Sequence, residues 1–132
     1  MPHISVDATL LNKTNKTLTL VTQSQHLDHG EWTIFAPPSI DPHDVGEWSS
    51  ESDGFVTGTE GHLNYFIEGE PPEKQVFCYW DNPFAGSNSY NATAPAGYQI
   101  QTQGSPGDNS IVIYKLTKGQ PSSLVCALLF PG

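Results

Sequence analysis

Residues 46–66, GEWSSESDGFVTGTEGHLNYF, and residues 75–88, QVFCYWDNPFAGSN, decide how this chain folds. Aromatic and apolar side chains alternate there with polar ones, glycine-rich turns break the runs, and cationic charge is nearly missing. Short alternating segments bounded by Gly, Pro and Asn read as half-buried strands. The stretch therefore points to an all-β fold, a β-sandwich whose turns carry a recognition surface.

The same pattern continues outward in both directions. Ile4, Val6, Ala8 and Leu10 alternate with polar neighbours, and after a loop over 12–16 the pattern resumes in TLTLVTQ, so the first two strands are expected to form a hairpin. Further strands are expected over 31–35, 45–50, 54–57, 62–68, 74–80, 98–103, 110–116 and 122–130, with Trp48, Phe77 and Val112 in the core. Their spacing, roughly 8 to 12 residues, suits a sandwich or barrel. With 11 Pro, 12 Gly and no long amphipathic run, no helix beyond a turn or two is expected. No linker or repeat interrupts the 132 residues, which read as one antiparallel sandwich domain.

Acidic residues outnumber basic ones 14 to 5, and all five cations are lysines (Lys13, Lys16, Lys74, Lys115, Lys118). Without a guanidinium to fork onto phosphate or guanine, nucleic acid is excluded as the expected partner. Anchoring to anionic lipid by a polybasic patch is excluded on the same ground. Membrane attachment would have to rest on aromatic insertion and specific headgroup contacts. The N-terminal MPHISVDATLL has neither the basic region nor the apolar core of a signal peptide, so a cytoplasmic protein, or one released without such a signal, is expected. The apolar run near the C-terminus, SLVCALLFPG, has strand length and reads as a buried last strand. Cys78 and Cys126 both fall in strand interiors, where they could bridge or act as small apolar side chains. The sequons at Asn12, Asn15 and Asn91 would matter only on a secretory route.

Several of these pieces occur together in a recognisable order: a first strand ending Leu10-Leu11-Asn12, a Lys/Thr loop, Gly30-Glu31-Trp32, Gly58-Thr59-Glu60-Gly61, Tyr79-Trp80-Asp81-x-Pro83 and Gly86-Ser87-Asn88. In that order they resemble the aegerolysin family, small acidic fungal and bacterial proteins with an actinoporin-like sandwich. The resemblance implies binding of sphingolipid-type headgroups or sterol-rich membranes, often with a larger pore-forming partner, in the manner of a cytolysin or haemolysin component. The family typically places Cys after the Trp-Asp and Trp after the next Pro. This chain has Asn82 and Phe84 there, with Ala85 as an extra residue before Gly-Ser-Asn. These departures fall in the loop that would set lipid specificity.

The candidate ligand-binding residues are Trp32, Trp80, Asp81, Asn82, Phe84, Ser87, Asn88 and Tyr90. Phe84 and Tyr90 flank a loop where apolar side chains would be exposed, as suits a lipid interface or a sugar face. Asp81, Asn82, Ser87 and Asn88 could bond hydroxyls or a cationic headgroup, with a choline-type cation over Trp80 or Tyr90. Asp81 and Asn88 could equally cap turns through their own backbone.

No metal site is expected from His26-Leu27-Asp28-His29, Glu31 and His43-Asp44, which read as loop residues at spacings that fit no strand face. Glu47, Glu51, Asp53 and Glu60 read as solubilising charges, since no nucleophile or positioned base accompanies them. The leading expectation is thus a non-enzymatic, cofactor-free protein that recognises membrane lipid headgroups. A glycan-binding module of lectin type is the rival, because it draws on the same Asp, Asn, Gly and aromatic residues. A third reading is a purely structural or storage protein that self-associates, as a homo-oligomer, through its apolar C-terminal strand.

Overall fold

The computed structural model describes residues 3–119. Within them lie β1 (Ser5–Asn12), β2 (Leu18–Leu20), β3 (His26–His29), β4 (Glu31–Ile34), β5 (Ser39–Ile40), β6 (Val45–Glu51), β7 (Thr59–Ile67), β8 (Gln75–Asn82), β9 (Ser89–Thr93), β10 (Tyr98–Gly104) and β11 (Asn109–Lys118). One 3-10 turn, Thr22–Ser24, separates β2 from β3. The expected strand over 122–130 and the Cys78–Cys126 question lie outside the described residues.

Alternation builds the core. Val6, Ala8 and Leu10 of β1, Trp48 of β6 and Val112, Tyr114 and Leu116 of β11 face inward from one sheet, ordered β10-β11-β1-β6-β4. Leu63, Tyr65 and Ile67 of β7 and Val76, Cys78 and Trp80 of β8 face them from the other, ordered β5-β2-β7-β8-β9 with β3 also on β7. The Trp48 ring joins the layers, stacking on Tyr114 at 6.1 Å and tilting against Trp80 at 5.7 Å. The sandwich and the burial of Trp48 and Val112 are as expected from the sequence.

Four expectations are corrected. β1 and β2 do not form a hairpin: β1 pairs with β6 and β11, whereas β2 pairs with β5 and β7 in the other sheet. Leu10 and Leu18 are both fully buried, from opposite sides, and the chain between them crosses the sandwich edge. Buried Asn12 holds that crossing, its Nδ2 donating to the carbonyls of Lys16, Ile40 and Asp41. Within these antiparallel-rich sheets one pair, β1 with β11, runs parallel.

Residues 54–57 form a turn instead of a strand; Phe55 and Val56 have β propensity but no ladder to join. Phe77 is not in the core. β8 exposes Gln75, Phe77, Tyr79 and Asp81 on its outer face, where the Phe77 ring lies 6.0 Å from His62. In addition, β3, β5 and β9 are strands in segments that read as loops.

Candidate functional site

The ends of β3 and β8, the start of β7 and the 52–58 loop meet at one pole of the sandwich. Gly58 makes the approach possible, because a Cβ there would stand 2.3 Å from the carbonyl oxygen of Asn82 and 2.7 Å from Cα of Pro83. The result is a cavity of about 310 Å³ lined by His29, Val56, Glu60, Asp81, Pro83 and Phe84, among others.

Its floor is acidic. Glu60 and Asp81 are cross-strand partners in the β7–β8 ladder. The Tyr79 hydroxyl donates to Glu60 Oε2 at 2.5 Å, and His29 Nε2 lies 3.9 Å from Glu60 Oε1. Burial, and then the neighbouring Glu60 charge, raise the pKa of Asp81 above its usual value, with His29 acting in the opposite direction. Burial first, and then the bond to Glu60, push the Tyr79 hydroxyl up as well.

Its rim is apolar. Phe55 is 79% exposed, Val56 64% and Phe84 47%, and Val56 and Phe84 both line the opening. Val56 adopts φ 56, the left-handed region that a β-branched side chain rarely enters and that costs about 1–3 kcal/mol. The turn is thus strained into holding two large apolar side chains toward solvent.

The loop over 83–88 also forms the wall of a second cavity, of about 520 Å³, between Gly86–Tyr90 and Gly104–Gly107. The eight sequence candidates therefore divide into groups. Asp81 and Phe84 line the first cavity, and Ser87, Asn88 and Tyr90 line the second. Trp80 and Asn82 are interior residues and face neither. The Trp80 indole donates to Ser50 Oγ at 3.0 Å, and Asn82 Nδ2 donates to the carbonyls of Ser5, Gly107 and Asp108 and to Ser110 Oγ. Both follow from strand phase, which turns positions 76, 78, 80 and 82 inward.

Trp32 leans edge-on against Trp80 at 5.8 Å and lines neither cavity. Tyr90 is a half-buried strand residue and not an exposed loop aromatic; its hydroxyl donates to the Ser105 carbonyl at 2.7 Å. Asn88 ties its loop to the β10–β11 loop through the Ser105 and Gly107 carbonyls, instead of capping its own turn.

Sequence reasoning missed His29, Val56 and Glu60. Cross-strand pairing with Asp81 was the available signal for Glu60, and it needs the register to be seen. His26 to His29 was read as loop, yet it pairs with β7, placing His29 opposite Glu60 and the His26 ring tilted against His62 at 5.7 Å.

The aegerolysin family model matches residues 4–115. The chain belongs to the aegerolysin family. It is 30% identical over 117 residues to an uncharacterized protein of Dictyostelium discoideum, a match that takes in 88% of this chain and 10% of that protein. The chain thus spans about a tenth of the length of the curated relative it matches. Among solved structures, the lipid binding protein Nakanori superposes with a TM-score of 0.69 at 14% identity, over 86% of this chain and 71% of that one. IP-1A from Alcaligenes faecalis superposes with a TM-score of 0.67 at 18% identity, over 87% and 91%. At such identities the β-sandwich fold is what is shared.

Proposed function

We propose that this aegerolysin is a non-enzymatic membrane-lipid-binding protein that docks by the pole bearing this cavity, with Phe55, Val56 and Phe84 entering the interface and a lipid headgroup occupying the Glu60/Asp81 cavity. The observation that carries this reading is the strained Val56 turn beside Phe84, which holds an apolar rim around a pocket containing two carboxylates. Large exposed apolar side chains in a loop add nothing to folding and suit a membrane interface. A pocket with two acids favours a headgroup that offers hydroxyls or a cation, as sphingolipids with choline-type or ethanolamine-type headgroups do. Membership of the family and the likeness to the lipid binding protein Nakanori support lipid as the partner. Cytolytic action together with a larger pore-forming protein is part of the proposal.

Flotation with phosphatidylcholine–sterol vesicles, with and without sphingomyelin, tests it. Binding should need the sphingolipid and should persist at high salt, because a chain of net charge −9 has little electrostatic attraction to an anionic surface to be screened. Phe55→Ala with Phe84→Ala should weaken binding about tenfold or more, equivalent to about 1.4 kcal/mol, at an unchanged melting temperature. Wild-type affinity in that double variant would remove this pole from the reading.

A further inference from the structure

We propose that the cleft between Gly86–Tyr90 and Gly104–Gly107 is a second binding site, one that takes a neutral hexose, and that the hexose is the headgroup of a membrane glycolipid. The cleft is the larger of the two cavities at this pole, about 520 Å³ against about 310 Å³. It is held open by contacts that leave its walls bare. Tyr90 lies flat on Gly104, where a Cβ would stand 2.1 Å from the ring's Cδ2, so only glycine admits the ring there. The Tyr90 hydroxyl and Asn88 Nδ2 are committed to the carbonyls of Ser105 and Gly107, which join the two loops and fix the width of the cleft before any ligand arrives.

What remains for a ligand is uncharged and polar. The Ser87 hydroxyl, the Asn88 side-chain carbonyl and the backbone of Gly86, Pro106 and Gly107 line the space. Ser105 Oγ accepts from the Ile111 amide at 2.9 Å, which leaves its proton able to donate. None of the residues lining the cleft is charged, so a phosphate or an ammonium entering it would lose hydration without a counter-charge. An acyl chain would strip water from the hydroxyls and amides and give them no partner. A polyol supplies donors and acceptors together at short spacing, which is the complement of these walls. The choice of sugar rests on the cleft alone. The choice of a glycolipid as its source rests on the membrane reading above, because the 83–88 loop is shared with the apolar-rimmed cavity.

Two measurements test the two parts. Amide NMR titration of the protein with methyl β-glucoside and methyl β-galactoside at millimolar concentration should shift residues 86–90 and 104–107. Ser87→Trp, which fills the cleft from an exposed position, should abolish the shifts. No shift with either glycoside, or shifts that survive in Ser87→Trp, would overturn the site. Adding a monohexosylceramide to phosphatidylcholine–sterol vesicles should raise wild-type binding about tenfold over the same vesicles with plain ceramide, through the second contact, and Ser87→Trp should lose that gain. Glycoside shifts without a vesicle gain would overturn the glycolipid source and leave a soluble or protein-borne glycan. Failure to bind any vesicle would count against the membrane reading and not against the cleft, which the NMR titration decides by itself.

Discussion

Glu60 and Asp81 face each other directly across the β7–β8 ladder, two carboxylates on the floor of one cavity with His29 on the far side of Glu60 and the Tyr79 hydroxyl donating to it. Like charges directly opposite in a sheet destabilise it. The arrangement therefore weakens folding so that the pocket can be acidic.

The pH consequence follows from Asp81, whose pKa is raised above the ordinary aspartate value by burial and then by Glu60. Between the unfolded and folded values the native state holds more proton, so stability falls as pH rises through that window and the full penalty applies above it. Asp81→Asn should accordingly melt higher than wild type at pH 7, with the difference closing as pH is lowered below the carboxylate range. A thermal-melt series over pH 3 to 8, on wild type and variant, checks this; equal melting temperatures at pH 7 would contradict it.

Val56 allows stability and binding to be moved in opposite directions. Asn tolerates the left-handed region, so Val56→Asn should relieve strain and stabilise by about 1 kcal/mol while weakening vesicle flotation through the loss of an apolar side chain. Chemical denaturation and flotation on the same preparation give both numbers. A destabilised variant would show that the Val56 side chain packs in a way that outweighs the strain.

Trp80 and Phe77 sit on opposite faces of β8 and should behave differently. Trp80→Ala empties the centre of the core, against Trp48 and Trp32, and should cost about 3–5 kcal/mol. Phe77→Ala loses only a half-buried outer-face contact with His62 and should cost about 1 kcal/mol, the ordinary size for a point change. Denaturant midpoints for the two variants suffice as the measurement.

Asn82→Ala removes the donors shared among the Ser5, Gly107 and Asp108 carbonyls and Ser110 Oγ, and leaves these part-buried acceptors short of partners. A loss of about 1–3 kcal/mol is expected. Amide exchange should quicken in the 105–108 loop before it does in β7.

The same residues explain what could be read from the sequence and what could not. Turn chemistry and alternation gave the sandwich, because Pro/Gly separators and period-two runs act locally. The phase of β8 did not come out, since QVFCYWDN carries aromatic or apolar side chains on both faces and ends with an inward Asn. Taking Phe77 as core and Trp80 as ligand-facing is one error of a single residue, which exchanges the two faces. His29 and Glu60 went unread for a different reason: His26 to His29 looks like loop by composition, and it becomes a strand only because the exposed edge of β7 pairs with it. The turn at Val56 was hidden behind its own β propensity, which tertiary context overrides.

The parallel pairing of β1 with β11 gives the molecule a direction. Ser5 and Asn109 lie side by side near the cavities, and β11 then runs ten residues away, roughly 33 Å, to set Lys118 over the Tyr98 ring at the opposite end. A label carried on the Lys118 side chain would therefore sit on the distal side and leave the binding pole clear, whereas one on His3 would crowd it. An immobilised protein should thus capture vesicles when tethered through position 118 and fail to when tethered through position 3.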